Sequence, residues 1–407
     1  MTDPVSAEPE ILTEKRGALG LITLNRPAAL NALTLDMVHL IDAALDDFEA
    51  DRAIRAVAVR GAGGKAFCAG GDIRKLHDAG KAGDLASALR FWADEYRLNV
   101  RIKYYPKPYV AMVDGICMGG GVGVSEHGSH RIAGDRYLFA MPEVGIGFFP
   151  DVGATHFLPR LPGKIGVWLA VTGDRVKAAD ADAFGLVDAY VPSERHEALL
   201  AALARGAPAD EAMAAERVHL TPALSDEDRA TIDSCFDAGT VEGVLAKLDA
   251  RAAAGSAFAA KCAATMRTKS PTSMAIALRQ CEIGPHMDFM EAMRTEYRIV
   301  SRVARGHDFY EGVRAVIIDK DNAPKWSPAA SAEVTTMSRF AGPSTRSILY
   351  WRPEQPPPPT AMRRAPCSAR PCFRRSPSSR SEAPGSTLMS FSLPILILTA
   401  GPAAGGV

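Results

Sequence analysis

Three glycine-rich segments are the first places where this backbone could do chemistry. They are Phe67-Cys68-Ala69-Gly70-Gly71-Asp72-Ile73, the run from Gly115 to Gly123, and Met141 to Gly153. Each follows a strand-like stretch, and each alone reads as a tight turn. Together they have a second use. Two glycine-bearing loops at the ends of neighbouring strands can aim two backbone N–H groups at one point. The second segment also reads as opening a helix, Gly119 to His127, whose N-terminus would add positive potential. Such a pair suits a carbonyl oxygen that gains negative charge during a reaction. Carboxylates lie within or close to the third segment, at Glu143 after Pro142 and Asp151 after Pro150.

Other chemistry-bearing residues read as structural. Cys68 and Cys117 flank two of the turns, but neither motif supplies a His or Asn partner for a thiol nucleophile. The 9 histidines show no metal-ligand spacing, so no metal is expected. Gly63-Gly64-Lys65 lacks the full spacing of a phosphate loop, and Lys65 reads as solvated. Asp72 reads as a helix cap.

The elements that must hold these turns follow from periodicity. Leu19 to Leu24 reads as a buried strand ended by Pro27. Thr34 is a candidate N-cap with Asp36 in the first turn. Met37, Ile41, Ala44, Leu45 and Phe48 then recur at helical spacing. Arg55 to Arg60 and Tyr109 to Val113 are further strands, and Leu85 to Tyr105 is a long helix stopped by Pro106. This β-helix-β rhythm with apolar strands predicts parallel sheets covered on both faces. From Glu194 to Asp319 the pattern is helical, broken at Ser270-Pro271. The expected organisation is an α/β core over residues 1–192, a helical region over 193–338, and a Pro/Arg/Ser-rich low-complexity tail over 339–407 that reads as disordered.

Composition narrows the function classes. The chain has 407 residues, 47 basic and 47 acidic, so no basic field points to nucleic acid or an anionic membrane. The balance hides an asymmetry: from Arg339 onward there are 9 arginines, no lysine and 2 acids. The most apolar stretch, Ser390 to Ala400, is interrupted by Pro394 and is far short of the ~20 residues of a membrane span. The cysteines number 7, with no CxxC pair. Reduced thiols in a cytoplasmic protein are therefore expected.

Taken together, Asn25-Arg26-Pro27, Asn31-Ala32-Leu33, Lys65 to Ile73, Gly119–Gly121 and Pro142-Glu143 resemble the crotonase (enoyl-CoA hydratase/isomerase) superfamily over roughly residues 10–330. The resemblance implies an α/β fold with a crotonase-type ββα spiral core and a C-terminal α-helical region. It implies an acyl-CoA substrate, with CoA arriving as part of that substrate and no separate cofactor. The thioester oxygen would be held by the N–H groups of Gly71 and Gly120. A homo-oligomer is compatible with it.

The carboxylates choose among the family's reactions. Hydratases in this superfamily carry one catalytic Glu on the helix after the glycine triplet and another in the Pro-Glu motif. Here the second is Glu143, but the first falls at Gly123. Asp151 stands where hydratases have a Pro-Gly turn, and Glu95 lies in Glu95-Tyr96-Arg97-Leu98-Asn99. This pattern resembles the 3-hydroxyisobutyryl-CoA hydrolase branch, which acts in valine degradation. The resemblance implies Glu95, Gly120, Glu143 and Asp151 at the substrate, with Glu143 and Asp151 catalytic. Read by themselves, Glu143 could be a cap or surface acid, Asp151 an N-cap, and Glu95 a solvated helix position. The alternative functions are an enoyl-CoA hydratase/isomerase and a non-catalytic CoA-ester-binding relative.

The tail lacks periodic apolar faces with which to offset its ordering entropy. Removing the residues after Ser338 is therefore expected to leave melting temperature and turnover unchanged. A large fall in either on truncation would show that the tail docks on the body.

Overall fold

The computed structural model describes residues 8–334. The tail assigned to residues 339–407 lies outside them. Ten strands form two sheets. They are β1 (Ile11–Arg16), β2 (Leu19–Leu24), β3 (Ala56–Gly61), β4 (Ala66–Cys68), β5 (Tyr109–Val113), β6 (Ile116–Met118), β7 (His130–Ala133), β8 (Leu138–Ala140), β9 (Val176–Lys177) and β10 (Ala189–Tyr190). The large sheet has the order β1-β2-β3-β5-β7-β10, and the small one β4-β6-β8-β9.

The connectivity explains why the glycine turns meet. After β3, β5 and β7 the chain bends at once into β4, β6 and β8, so each repeat gives one strand to each sheet. β4, β6 and β8 are parallel neighbours in the small sheet. Their C-terminal ends, where the three glycine-rich segments continue, therefore lie side by side.

The large sheet is parallel from β2 to β10 and covered on both faces. Val57, Val59, Ala111 and Val113 enter one apolar cluster; Ala56, Ala58, Val110 and Met112 enter another. That alternation is the period of two of an extended chain. Leu199, Leu200 and Leu203 of the helix His196–Ala204 close the second face. Two antiparallel pairings depart from the parallel expectation. β1 forms a hairpin with β2, and β9 pairs with β8. β1 buries only Ile11 and carries charged side chains, which suits an edge strand.

Sequence signals for the helices hold well. The Thr34 side chain accepts from Met37 N at 3.1 Å, capping the helix Leu35–Ala50. Asp72 caps Ile73–Lys81, and Ser270 caps Pro271–Ile283. The long helix spans Leu85–Lys103. Residues of the C-terminal helices, among them Phe236, Met274, Phe289 and Phe309, share the larger cluster with the sheets.

The helix expected from Gly119 to His127 is a single turn, Gly120–Gly123. Four glycines in five positions give little side-chain packing and a high entropic cost to a helix. So short a turn has no macrodipole to contribute; what it offers is its first unpaired N–H. Glycine is needed there for room. A Cβ on Gly121 would lie 2.2 Å from the Cys68 carbonyl oxygen.

Gly121→Ala is therefore expected to destabilise the fold by about 1–3 kcal/mol through overpacking. Gly239→Ala, whose added carbon would meet nothing within 4 Å, serves as the neutral control. Denaturant midpoints of the two variants check this.

Candidate active site

The first glycine turn is splinted by the Asn25–Leu33 motif. Asn31 donates through Nδ2 to the carbonyls of Ala62 and Ala66 at 3.0 and 2.9 Å. Arg26 pairs with Asp72 at 3.5 Å. Leu33 N donates to Gly70 O at 2.8 Å, and Asp72 N donates to Leu33 O at 2.9 Å. In this parallel bridge the intervening N–H, that of Gly71, points away from Leu33. The second N–H is that of Gly120, first residue of its helical turn, which has no intrahelical acceptor. The two turns touch: a Cβ on Gly120 would stand 3.3 Å from Gly71 N and 2.4 Å from Glu95 Oε1. Only glycine admits that approach.

Three carboxyl groups converge on this place. Glu95 comes from the long helix Leu85–Lys103, 2% exposed. Glu143 opens the 3-10 turn Glu143–Ile146 just beyond β8, 6% exposed. Its Oε1 would be 3.3 Å from a Cβ on Gly119. Asp151 follows Pro150, 5% exposed. Burial pushes all three pKa values up, and neighbouring negative charges add to it at Glu95 and Glu143. Glu95 is raised by burial, then by Asp151 and Glu143; Glu143 by burial, then by Asp151. Asp151 is pushed by burial to about 7, opposed by a hydrogen bond from Tyr96. That bond runs from the Tyr96 hydroxyl to Asp151 Oδ2 at 2.8 Å. Among the described residues, Glu95 Oε1 and Glu143 Oε2 are buried with no hydrogen-bond partner.

The turn carrying Asp151 is held from several sides. Val152 sits at φ 49°, a conformation costly for a β-branched residue. His127 Nε2 meets the Val152 carbonyl at 2.6 Å. Gln280 donates to the Pro150 carbonyl at 2.8 Å. Buried Glu296, on the helix Phe289–Val303, accepts from Gly153 N at 2.8 Å and Thr155 N at 2.9 Å. Asp151 is not a helix cap: the cap of Ala154–Phe157 is Gly153.

The position of the absent hydratase acid is also filled. A Cβ on Gly123 would lie 2.7 Å from Asn99 Nδ2 and 3.0 Å from Val152 Cβ. Asn99 is fully buried on the same helix as Glu95, four residues on. Both of its side-chain polar atoms lack a partner among the described residues.

These groups lie at a cleft of about 690 Å³. Phe91, Trp92 and Phe148 make its apolar wall, with Trp92 stacked on Phe148 at 5.5 Å. Arg74 and Lys269 also line it, and burial lowers the Lys269 pKa. Cys68 and Cys117 are buried under the turns. Burial pushes the Cys68 thiol to about 12 and raises Cys117 as well, so neither supplies a thiolate at neutral pH.

Every residue singled out for the site, Gly71, Glu95, Gly120, Glu143 and Asp151, thus lies at one cleft. Tyr96, Asn99, His127, Gln280 and Glu296 were not foreseen. For Tyr96 and Asn99 a signal existed: on a helix they share a face with Glu95 or adjoin it. His127, Gln280 and Glu296 carry no local signal, because their partners lie 25 to 143 residues away.

A family model described as enoyl-CoA hydratase/isomerase matches residues 19–339. The protein named 3-hydroxyisobutyryl-CoA hydrolase, mitochondrial, from Danio rerio is 48% identical over 336 residues, 80% of this chain and 87% of that one. The protein of the same name from Homo sapiens is 45% identical over 346 residues, 82% and 88% of the two chains. Among solved structures, a carnitinyl-CoA dehydratase from Mycobacterium thermoresistibile is 40% identical with a TM-score of 0.77, covering 83% of this chain and 98% of its own. An enoyl-CoA hydratase from Rhodobacter sphaeroides 2.4.1 is 40% identical with a TM-score of 0.73, covering 82% and 96%. With the interleaved sheets, the paired glycine turns and a family match over most of its length, this chain belongs to the enoyl-CoA hydratase/isomerase (crotonase) family.

Proposed function

We propose that the protein is an enzyme that hydrolyses 3-hydroxyisobutyryl-CoA to 3-hydroxyisobutyrate and CoA, a step of valine breakdown. The observation that carries this reading is the set of acids at the cleft: Glu143 and Asp151 beside the N–H groups of Gly71 and Gly120, and no acid at Gly123. The names of the relatives above agree with it. The thioester oxygen sits between Gly71 N–H and Gly120 N–H. Glu143 attacks the thioester carbon, charge collects on that oxygen, and the C–S bond breaks to give an acyl anhydride and CoA thiolate. Water then attacks the anhydride, its proton passing to Asp151, and the Glu143 carboxylate is released. An acid titrating at about 7 suits that transfer near neutral pH. Glu95, one oxygen of which has no hydrogen-bond partner among the described residues, binds the hydroxyl of the acyl group. The chain, water and the substrate's own CoA supply every group these steps need.

The similar solved structures, which are named a dehydratase and a hydratase, raise the rival reading, addition of water across a double bond. That reaction needs a second carboxylate, and the space beside Gly123 is occupied by Asn99. A non-catalytic CoA-ester binder would have no use for three costly buried acids. Among the described residues no helix is long and apolar enough to cross a membrane. The five described cysteines are free, which fits the reducing cytoplasm we propose; the relatives' names say mitochondrial of those proteins.

Thiol release from a panel of acyl-CoAs tests the reading. We expect turnover of 3-hydroxyisobutyryl-CoA and no hydration of crotonyl-CoA; the reverse result would falsify it. Glu143→Gln and Asp151→Asn should each lower turnover by ~10²–10⁴-fold, as for removed acid–base groups. Asp151→Asn carries a second signature. Its carboxyl titrates at an ordinary 3.8 when unfolded and about 7 when folded, so its ionised form opposes folding at pH 8 and no longer does so below about pH 4. The variant should therefore melt above wild type at pH 8, with the gap closing toward pH 4.

A further inference from the structure

Tyr96 takes no part in the steps above, yet it is the side chain bonded to Asp151. Its hydroxyl donates to Asp151 Oδ2 at 2.8 Å. Its ring is wholly buried and lies edge-on to Tyr297, with centroids 6.5 Å apart at 84°. In these surroundings a phenol can only donate. Burial and the charges of Asp151, Glu296 and Glu95 all oppose its ionisation.

The groups around Asp151 come from several elements. Glu95 and Tyr96 face it from the helix Leu85–Lys103, and Glu143 from the turn beyond β8. Glu296 approaches from Phe289–Val303, its oxygens already engaged by the amides of Gly153 and Thr155. His127 reaches the neighbouring Val152 carbonyl, and burial lowers its pKa to about 3, so it carries no charge at neutral pH. Of the three cleft acids, Asp151 alone takes a hydrogen bond from a side chain among the described residues. Carboxyl groups in one dry pocket oppose one another's ionisation, and a donor on one of them favours charge there.

We propose that Tyr96 is a positioning residue for the hydrolysis: once Glu143 is acylated and carries no charge, Tyr96 keeps Asp151 ionised and leaves its Oδ1 to take the proton of the attacking water. Water's oxygen bonds to the acyl carbon of the anhydride, and its proton moves to Oδ1. The electron pair of the broken C–O bond returns to Glu143. This inference rests on the hydrolytic reading above.

Full-length wild type and Tyr96→Phe are compared for thiol release from 3-hydroxyisobutyryl-CoA across pH, with melting followed alongside. The acid limb of kcat should move up by about one to two pH units, the worth of a lost hydrogen bond to a charged group. The loss in rate should be largest at low pH and narrow above the shifted limb, with KM changed less than threefold. Site-specific fluorotyrosine at position 96, a stronger donor, should move the limb the other way; this variant decides the matter if Tyr96→Phe does not fold. A limb that stays in place in the folded variants, whether or not the rate drops uniformly, reduces Tyr96 to packing and overturns the inference alone. A wild type that releases no thiol from any acyl-CoA sinks the hydrolytic reading, and this inference with it.

Discussion

Glu95, Glu143 and Asp151 share one buried pocket, where the charge of Asp151 bears on both glutamates and that of Glu143 on Glu95. Burying a carboxylate without a cation is costly, and burying three close together is costlier. The arrangement persists because the surrounding elements leave it no means of relaxing. The long helix Leu85–Lys103 fixes Glu95 and Tyr96 on rigid backbone, the 3-10 turn beyond β8 fixes Glu143, and a strained turn fixes Asp151. The stability surrendered here is recovered elsewhere, in the large apolar cluster that the sheets and C-terminal helices build jointly.

Close approach of backbone to backbone is the second requirement. Glu95 Oε1 and Gly71 N both lie where a side chain on Gly120 would begin. Cys68 O lies where one on Gly121 would begin. The glycines therefore act by omission. They let two N–H groups and three acids occupy a volume that any side chain would fill. At Gly123 the space so released is taken by Asn99. On the hydrolytic reading we propose, the reaction follows from the acid missing at Gly123, from Asn99 in its space and from Asp151 eight residues beyond Glu143.

The C-terminal helices serve the site as well as the core. Glu296 binds the two amides that follow Asp151, and Gln280 binds the carbonyl that precedes it. Ser270, at the start of Pro271–Ile283, donates its N–H to Val144 O at 3.0 Å, just after Glu143. Both acidic turns are therefore tied to helices far away in sequence. Such ties hold the two acids in a fixed geometry.

Much of this was legible in the sequence. Strands β2 and β5, the caps Thr34 and Asp72, and the buried stripe of Leu35–Ala50 follow from local periodicity and capping chemistry, which act within a few residues. The five site residues were legible because their motifs are short and contiguous. The three-residue strands β4, β6 and β8 were not, since so few residues carry no period. Nor was the close approach of the Cys68 carbonyl to Gly121, a contact between separate turns. The sequence by itself determined which acids are present and that none stands at position 123. Only the tertiary structure decided that Asn99 fills that space, that Tyr96 donates to Asp151, and that Glu296 and His127 hold its turn. The physical reason is that these are contacts between residues distant along the chain, which exist only once sheet and helix packing has brought them together.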